Sequence, residues 1–166
     1  MKLTDAIKKR HSVRTYEARK VDKALIKEIV DCGRLAATAR NEQLWEFIAV
    51  SSEETKERIS YLAPNGSFIR EAAWVIAVCA KEGKYYLEDC SAATENMLLA
   101  SSALGLGACW VAGDKKPYCD DIKKLLNVPA EYKLVSMISL GYPAGKDEPH
   151  PKRKLDDVLH WKKFSS

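Results

Sequence analysis

Apolar residues recur along this chain at two spacings, and the alternation between them divides it into helices and strands. Leu3 to Lys9 reads as a short amphipathic helix, with Thr4 placed to cap it and Leu3 and Ile7 facing inward. Asp22 caps a second predicted helix running to about Ala37, on which Leu25, Ile26, Ile29, Val30 and Leu35 form one stripe. A turn-prone stretch, Ala36 to Asn41, follows, and Trp45 to Val50 then reads as a strand. Glu53 to Leu62 is helical, with Ile59 and Leu62 apolar, and Pro64-Asn65-Gly66 breaks it. Ala72 to Ala80 is almost wholly apolar, which predicts a strand covered on both faces.

The longest helical pattern runs from about Tyr85 to Leu104. It lacks a clear polar face over Ala92–Leu104, which predicts deep burial, either as a central core helix or at a subunit interface. Gly105-Leu106-Gly107 stops it and a short strand, Ala108 to Val111, begins. This glycine pair follows a helix and lacks a third glycine, so it is not a dinucleotide-binding fingerprint. Pro117 opens a helix through Leu126, with Ile122, Leu125 and Leu126 on one face, and Val128-Pro129 ends it. Leu134 to Leu140 is a further strand, and Gly141-Tyr142-Pro143 turns out of it. A polar loop, Ala144 to Pro151, leads to Lys152-Arg153-Lys154 and a closing helix from Leu155 to about Trp161. No repeat or linker divides the chain. The pattern predicts one α+β domain over residues 1–166, a two- or three-layer sandwich around a mixed sheet.

Composition narrows the class. With 46% hydrophobic and 30% charged residues the chain is globular. No apolar run approaches the roughly 18 residues of a membrane span. The N-terminus has no apolar signal core, so a cytoplasmic location is expected. Five cysteines (Cys32, Cys79, Cys90, Cys109 and Cys119) form no close pair; Cys79, Cys90 and Cys109 read as small packing residues. The three histidines add no metal-ligand spacing, so no metal site is expected; His150 and His160 read as surface or packing residues.

The net charge of +4 is small but concentrated at the two ends. Residues 1–20 hold seven Lys/Arg against Asp5 and Glu17, and residues 146–163 hold six against four acids. If the two basic ends meet, they make one anion site. A nucleic-acid partner is not expected, because no broad basic face with interleaved aromatics is visible. Arg19 and Lys20 read as solvated, and Trp45 and Trp74 as core.

Polar groups that neither packing nor turn chemistry requires fall in four places. They are Arg10-His11-Ser12-Val13-Arg14, Asn41 with Gln43, Asn65, and Lys152–Lys154. Arginine grips phosphate bidentately, and carboxamides suit an edge of alternating C=O and N–H groups. A ligand with a phosphate at one end and an imide-like edge at the other uses this set, and flavin mononucleotide (FMN) has that form. For the first stretch alone, a basic loop closing a helix is the plainer reading.

Ala6 to Tyr16 resembles the opening signature of the FMN-dependent nitroreductase family. Asn41-Glu42-Gln43-Leu44-Trp45-Glu46-Phe47 is similar to the family's Asn-x-Gln-Pro-Trp-x-Phe segment. Ala100 to Gly107 resembles its small-residue and glycine run after the central helix, and Leu140-Gly141-Tyr142-Pro143 with the basic cluster resembles its C-terminus. The four occur in order over nearly the whole chain. The resemblance implies a three-layer sandwich with a mixed, mostly antiparallel sheet flanked by helices, in a homodimer. It implies that Arg10, Ser12 and Arg14 hold the FMN phosphate and ribityl chain, with His11 among them, and that Arg14 supplies positive charge near the ring's pyrimidine edge. Asn41 and Gln43 match a segment contributed by the second subunit, and Asn65 matches a ring-edge amide. Trp110, Val111, Ala112 and Gly113 match the backbone beside the reactive N5 edge. Lys152 and Arg153, or Arg153 and Lys154, match a phosphate clamp. Leu44 replaces the family's proline and Ala112 a frequent glutamate. The chain is also shorter than many relatives, which implies a more open or differently covered pocket.

The implied activity is transfer of hydride from NAD(P)H, by a ping-pong mechanism, to an electron-poor acceptor such as a nitroaromatic or quinone. No side-chain nucleophile or catalytic acid–base pair is required, since the chemistry sits on the flavin. Reductive dehalogenation, a flavin-consuming reaction on the same fold, or a non-enzymatic anion or nucleic-acid binder stand as alternatives.

Overall fold

The structure is a computed structural model that describes residues 2–145 and 147–164. Lys146, counted in the basic C-terminal segment, lies outside the described residues. Four strands form one sheet: β1 (Trp45–Val50), β2 (Trp74–Lys81), β3 (Gly107–Ala112) and β4 (Tyr132–Gly141). Their order is β1-β2-β4-β3 and all three pairings are antiparallel. The expected mixed character reduces to one parallel bridge, Ser12 to Ala108, beside the outer edge of β3. β1 and β3 are therefore the two edges of the sheet.

β2 alternates between two cores because strand side chains point to opposite faces. Ile76, Val78 and Ala80 pack with Ile26 and Ile29 of α2 (Lys23–Arg34) and with Ala93, Met97 and Leu98 of α4 (Tyr86–Ala103). Val75, Ala77 and Cys79 pack instead with Ile59 of α3 (Glu53–Leu62) and Ile122 of α5 (Cys119–Leu125). Helices on both faces of a sheet make the three-layer sandwich. Trp45 and Trp74 are buried in it, as expected. β4 carries a register shift opposite Val78 and Cys79, so Val135 joins the first core while Leu134 joins the second.

Several boundaries fall where local chemistry places them. β1 and α3 coincide with the residues read from the pattern. The Asp22 side chain accepts from the Ala24 N–H, as an N-cap should, but α2 ends at Arg34, three residues before Ala37, and Leu35 is exposed. Ser52 caps α3 by accepting from the Thr55 N–H. Pro64–Glu71 is a 3-10 segment, and the buried Lys56 of α3 closes its end by donating to the Ala72 carbonyl at 2.5 Å. Burial lowers the Lys56 pKa from its ordinary value.

Other elements depart from the pattern. α1 (Leu3–Lys9) starts one residue before Thr4, has no side-chain cap, and buries Ala6, while Leu3 and Ile7 are exposed at 68% and 51%. A seven-residue helix offers too few apolar positions to choose a face by pattern. α4 is not buried all round in one chain, since Glu88, Glu95 and Ala103 are exposed and Ala92 and Leu99 half-buried. α5 begins after Pro117 and Tyr118, and β4 extends beyond the apolar run at both ends. The predicted C-terminal helix is a short 3-10 turn, Leu155–Asp157, with Leu155, Val158, Trp161 and Phe164 exposed. An amphipathic helix needs a surface to bury its face, and this chain provides none there. Arg19 is not merely solvated, for its guanidinium lies 3.7 Å above the Tyr142 ring.

Candidate functional site

The outer edge of β3 organises the site. Leaving α1, the chain turns extended at Arg10 and runs beside this edge. The Val13 N–H donates to the Ala108 carbonyl at 3.0 Å, and Val13 fills the space over Gly107, where a Cβ would stand 2.6 Å from it. Peptide groups alternate along a strand, so those of Trp110 and Ala112 share the Ala108 edge and face away from β4. At its end, the Gly113 N–H donates to the Val135 carbonyl at 3.1 Å and the Asp114 N–H to the Leu134 carbonyl at 2.5 Å. The register shift in β4 is closed there. Trp110 is 37% exposed, Ala112 is exposed, and Val111 and Gly113 are buried. Tyr118 donates its hydroxyl to the Ala112 carbonyl.

One further segment meets this edge. Gly66 of the 3-10 segment abuts Val111, where a Cβ would lie 3.0 Å from Val111 Cγ1. Asn65, the preceding residue, is exposed. Phe68 of the same segment lies 5.9 Å from the Arg14 guanidinium carbon. Arg10–Arg14, Asn65 and Trp110–Gly113 are thus adjoining parts of one surface. Within it, Arg10 pairs with Glu95 of α4 at 3.5 Å, and His11 Nδ1 donates to the Lys9 carbonyl at 3.0 Å.

Asn41 and Gln43 are exposed on the loop that enters β1, at the opposite edge of the sheet. Three strand spacings of about 4.8 Å separate that edge from β3. Within one chain these amides do not join the Arg14 surface. Lys152, Arg153 and Lys154 are exposed, and Arg153 Nη2 donates to the Asp157 carbonyl at 2.5 Å. Among the described residues no hydrogen bond or ion pair joins this cluster to Arg10–Arg14.

What the N-terminal stretch meets instead is an acid that sequence reasoning passed over. Asp147 Oδ2 accepts from the Arg14 N–H (3.0 Å), the Thr15 N–H (2.9 Å) and the Thr15 hydroxyl (2.6 Å). Burial alone would raise its pKa, but these hydrogen bonds and the Arg14 charge outweigh it and hold the carboxyl below its ordinary 3.8. A depressed carboxyl stabilises the fold fully above 3.8 and loses that contribution as pH falls through the lower folded value. Asp147→Asn is therefore expected to lower Tm at neutral pH, with the gap to wild type closing below that window. A gap that persists there would show that the charge is not what holds the segment. Tyr16, also passed over, donates its hydroxyl to the Val13 carbonyl at 2.6 Å and meets Ser139 Oγ at 2.6 Å. Burial pushes its pKa above the ordinary tyrosine value. Both residues hold the 12–16 stretch in place.

An antiparallel sheet between helical layers, with a cationic stretch along one edge strand, defines an α+β fold of the nitroreductase type. The family described as "Putative TM nitroreductase" matches residues 2–165, and the chain belongs to the nitroreductase family. A Methanothermobacter thermautotrophicus protein named "Putative NADH dehydrogenase/NAD(P)H nitroreductase" is 34% identical, over 99% of this chain and 88% of its own. The crystal structure of a Bacteroides thetaiotaomicron protein of the same name superposes with a TM-score of 0.92 at 30% identity, covering 98% of each chain. An "FMN-dependent Nitroreductase" from Clostridium difficile superposes with a TM-score of 0.87 at 29% identity, covering 96% of this chain and 98% of its own.

Proposed function

We propose that this protein is an FMN-dependent oxidoreductase that takes hydride from NAD(P)H and passes electrons to an electron-poor acceptor, a nitroaromatic or quinone, by a ping-pong cycle in one pocket. The observation that carries this reading is the outward peptide edge of Trp110 and Ala112 beside the cationic Arg10–Arg14 stretch. That donor set fits FMN, with guanidiniums for a phosphate and backbone N–H groups for ring nitrogens. Names of relatives support the same cofactor and reductant, including an "FMN reductase (NADPH)" of Bacillus subtilis at 22% identity.

In this reading Arg10, His11, Ser12 and Arg14 hold the phosphate and ribityl end, and the Arg14 charge favours negative charge on the ring. Asn65 would hold the ring edge, and the Trp110–Gly113 backbone would support the ring. FMN supplies the hydride and electron transfer, so the protein's part is to bind, orient and tune. Asn41 and Gln43 come from the partner of a homodimer, in keeping with their place at the far edge of the sheet. Lys152 and Arg153, or Arg153 and Lys154, clamp the phosphate. The exposed Leu3, Ile7, Leu155, Trp161 and Phe164 offer apolar surface to that second copy. All five cysteines are free, which suits the reducing cytoplasm as the place of action.

The purified protein is expected to be yellow and to sediment as a dimer. A colourless protein that gains no bound-flavin absorbance on adding FMN would contradict the reading. A flavin-saturated monomer would remove the role given to Asn41 and Gln43.

A further inference from the structure

The loop that presents Asn41 and Gln43 has an unusual backbone. Arg40, Asn41 and Gln43 have φ of 55°, 57° and 50°, half of the six left-handed non-glycine residues among the described residues. Asparagine tolerates this region, but arginine and glutamine rarely enter it. Such a backbone persists only where its surroundings over-determine it.

The constraint comes from a buried acid on the first turn of α4. Asp89 is 7% exposed. Its Oδ2 accepts from the Thr38 hydroxyl at 2.7 Å and its Oδ1 from the Ala39 N–H at 3.1 Å. A carboxylate can only accept, so the Thr38 proton is committed to Asp89 and the hydroxyl oxygen is left to accept. It accepts from the Gln43 N–H at 3.2 Å. Both ends of the 38–43 loop are thereby tied to one carboxylate, Ala39 directly and Gln43 through the Thr38 hydroxyl, while the Asn41 and Gln43 side chains remain exposed.

We propose that Asp89 is a positioning residue, which through Thr38 locks the 38–43 loop in its left-handed shape and so preforms the amide pair that reads the edge of the flavin. This rests on the reading that Asn41 and Gln43 contact FMN. A loop ordered in advance spends no binding energy on ordering, so the lock acts on affinity. Asparagine at position 89 offers one oxygen where two acceptors are used, and the relay through Thr38 is lost. Thr38→Val removes the hydroxyl with little change in shape, and Thr38→Ser keeps it.

The test compares Asp89→Asn, Thr38→Val, Thr38→Ser and Asn41→Ala by two readouts. The first is amide hydrogen exchange at Ala39 and Gln43 in the FMN-free protein. The second is FMN affinity, followed by quenching of flavin fluorescence. Asp89→Asn, whose one oxygen can still accept from the Ala39 N–H, is expected to lose protection at Gln43, where the relay through Thr38 ends, and Thr38→Val is expected to lose it there too. Each is expected to bind FMN about tenfold more weakly, the scale of one lost charge-assisted hydrogen bond. Thr38→Ser is expected to match wild type in both readouts. If Asp89→Asn fails to fold, Thr38→Val and Thr38→Ser carry the comparison. Protection retained at Gln43 in the Asp89 or Thr38→Val variants overturns the lock. Lost protection with wild-type FMN affinity, while Asn41→Ala still weakens binding, makes Asp89 a purely structural anchor and overturns the proposal. Unchanged affinity in Asn41→Ala, in a protein that binds FMN, removes the loop's contact with flavin and the proposal with it.

Discussion

Arg14→Ala is expected to weaken FMN binding by about 10- to 100-fold, the range for losing a bidentate, charge-assisted grip on an anion. The same change is expected to leave stability within about 0.5 kcal/mol of wild type, because the side chain is exposed. Its guanidinium lies 5.9 Å from the Phe68 ring centroid and adds a charge that favours ionised Asp147, but the hydrogen bond to Asp147 comes from the Arg14 backbone N–H, which the substitution keeps. Arg10→Ala is expected to act in the same direction with a smaller effect, since Glu95 already competes for that guanidinium. Flavin titration beside thermal melting separates affinity from stability. Unchanged affinity in both variants would return Arg10–Arg14 to an ordinary basic loop.

Gly113→Ala is expected to be the most damaging single methyl. A Cβ at this position would stand 2.5 Å from the Leu134 carbonyl oxygen and 2.7 Å from that of Val135. Both obstacles are backbone in the irregular part of β4, so they cannot rotate aside. Overpacking of this kind costs about 3 kcal/mol. The added carbon would push β3 away from β4 where the Trp110–Ala112 edge ends, so flavin binding is expected to fall as well. Denaturant unfolding measures the first effect. A loss under about 1 kcal/mol would mean that the register shift yields without strain.

The elements legible in the sequence are those whose signal is local. β1 is a short, mostly apolar run led by Trp45, and α3 lies between it and the Pro64-Asn65-Gly66 break, so both boundaries fall where the pattern puts them. β2 is apolar throughout because it is covered on both sides. α1 and the C-terminal segment carry apolar residues too, but Ile7 and Trp161 find no partner surface within one chain, so their burial could not be read from period alone. Of the site, the charged and amide side chains are visible as residue types out of place in a core. The outward peptide edge of β3 is not, since backbone direction leaves no mark on the sequence. Neither are the left-handed residues at 40, 41 and 43, which lack the usual glycine. Asp147 meets Thr15 across 132 positions and Asp89 meets Ala39 across 50, and such pairings arise only when the chain folds.

The resemblance found in four short motifs and the fold itself point to the same family, and the structure adds how the pieces are held. Tyr16, Asp147 and Gly107 fix the 10–16 stretch against β3, and Lys56 fixes the end of the segment that carries Asn65 and Phe68. Rigid support of this kind keeps a site in one geometry before its ligand arrives. Among the described residues the C-terminal basic cluster is exposed, and the hydrogen bond found there runs from Arg153 to the nearby Asp157 carbonyl. No helix among the described residues is long and apolar enough to cross a membrane.

The most direct measurement is an anaerobic titration of the FMN-loaded protein with NADPH or NADH, followed by addition of a nitroaromatic or quinone. The expected result is stoichiometric loss of the flavin's visible absorbance with the reduced nicotinamide and its return with the acceptor. A flavin-loaded protein whose absorbance neither nicotinamide changes would contradict the proposed function.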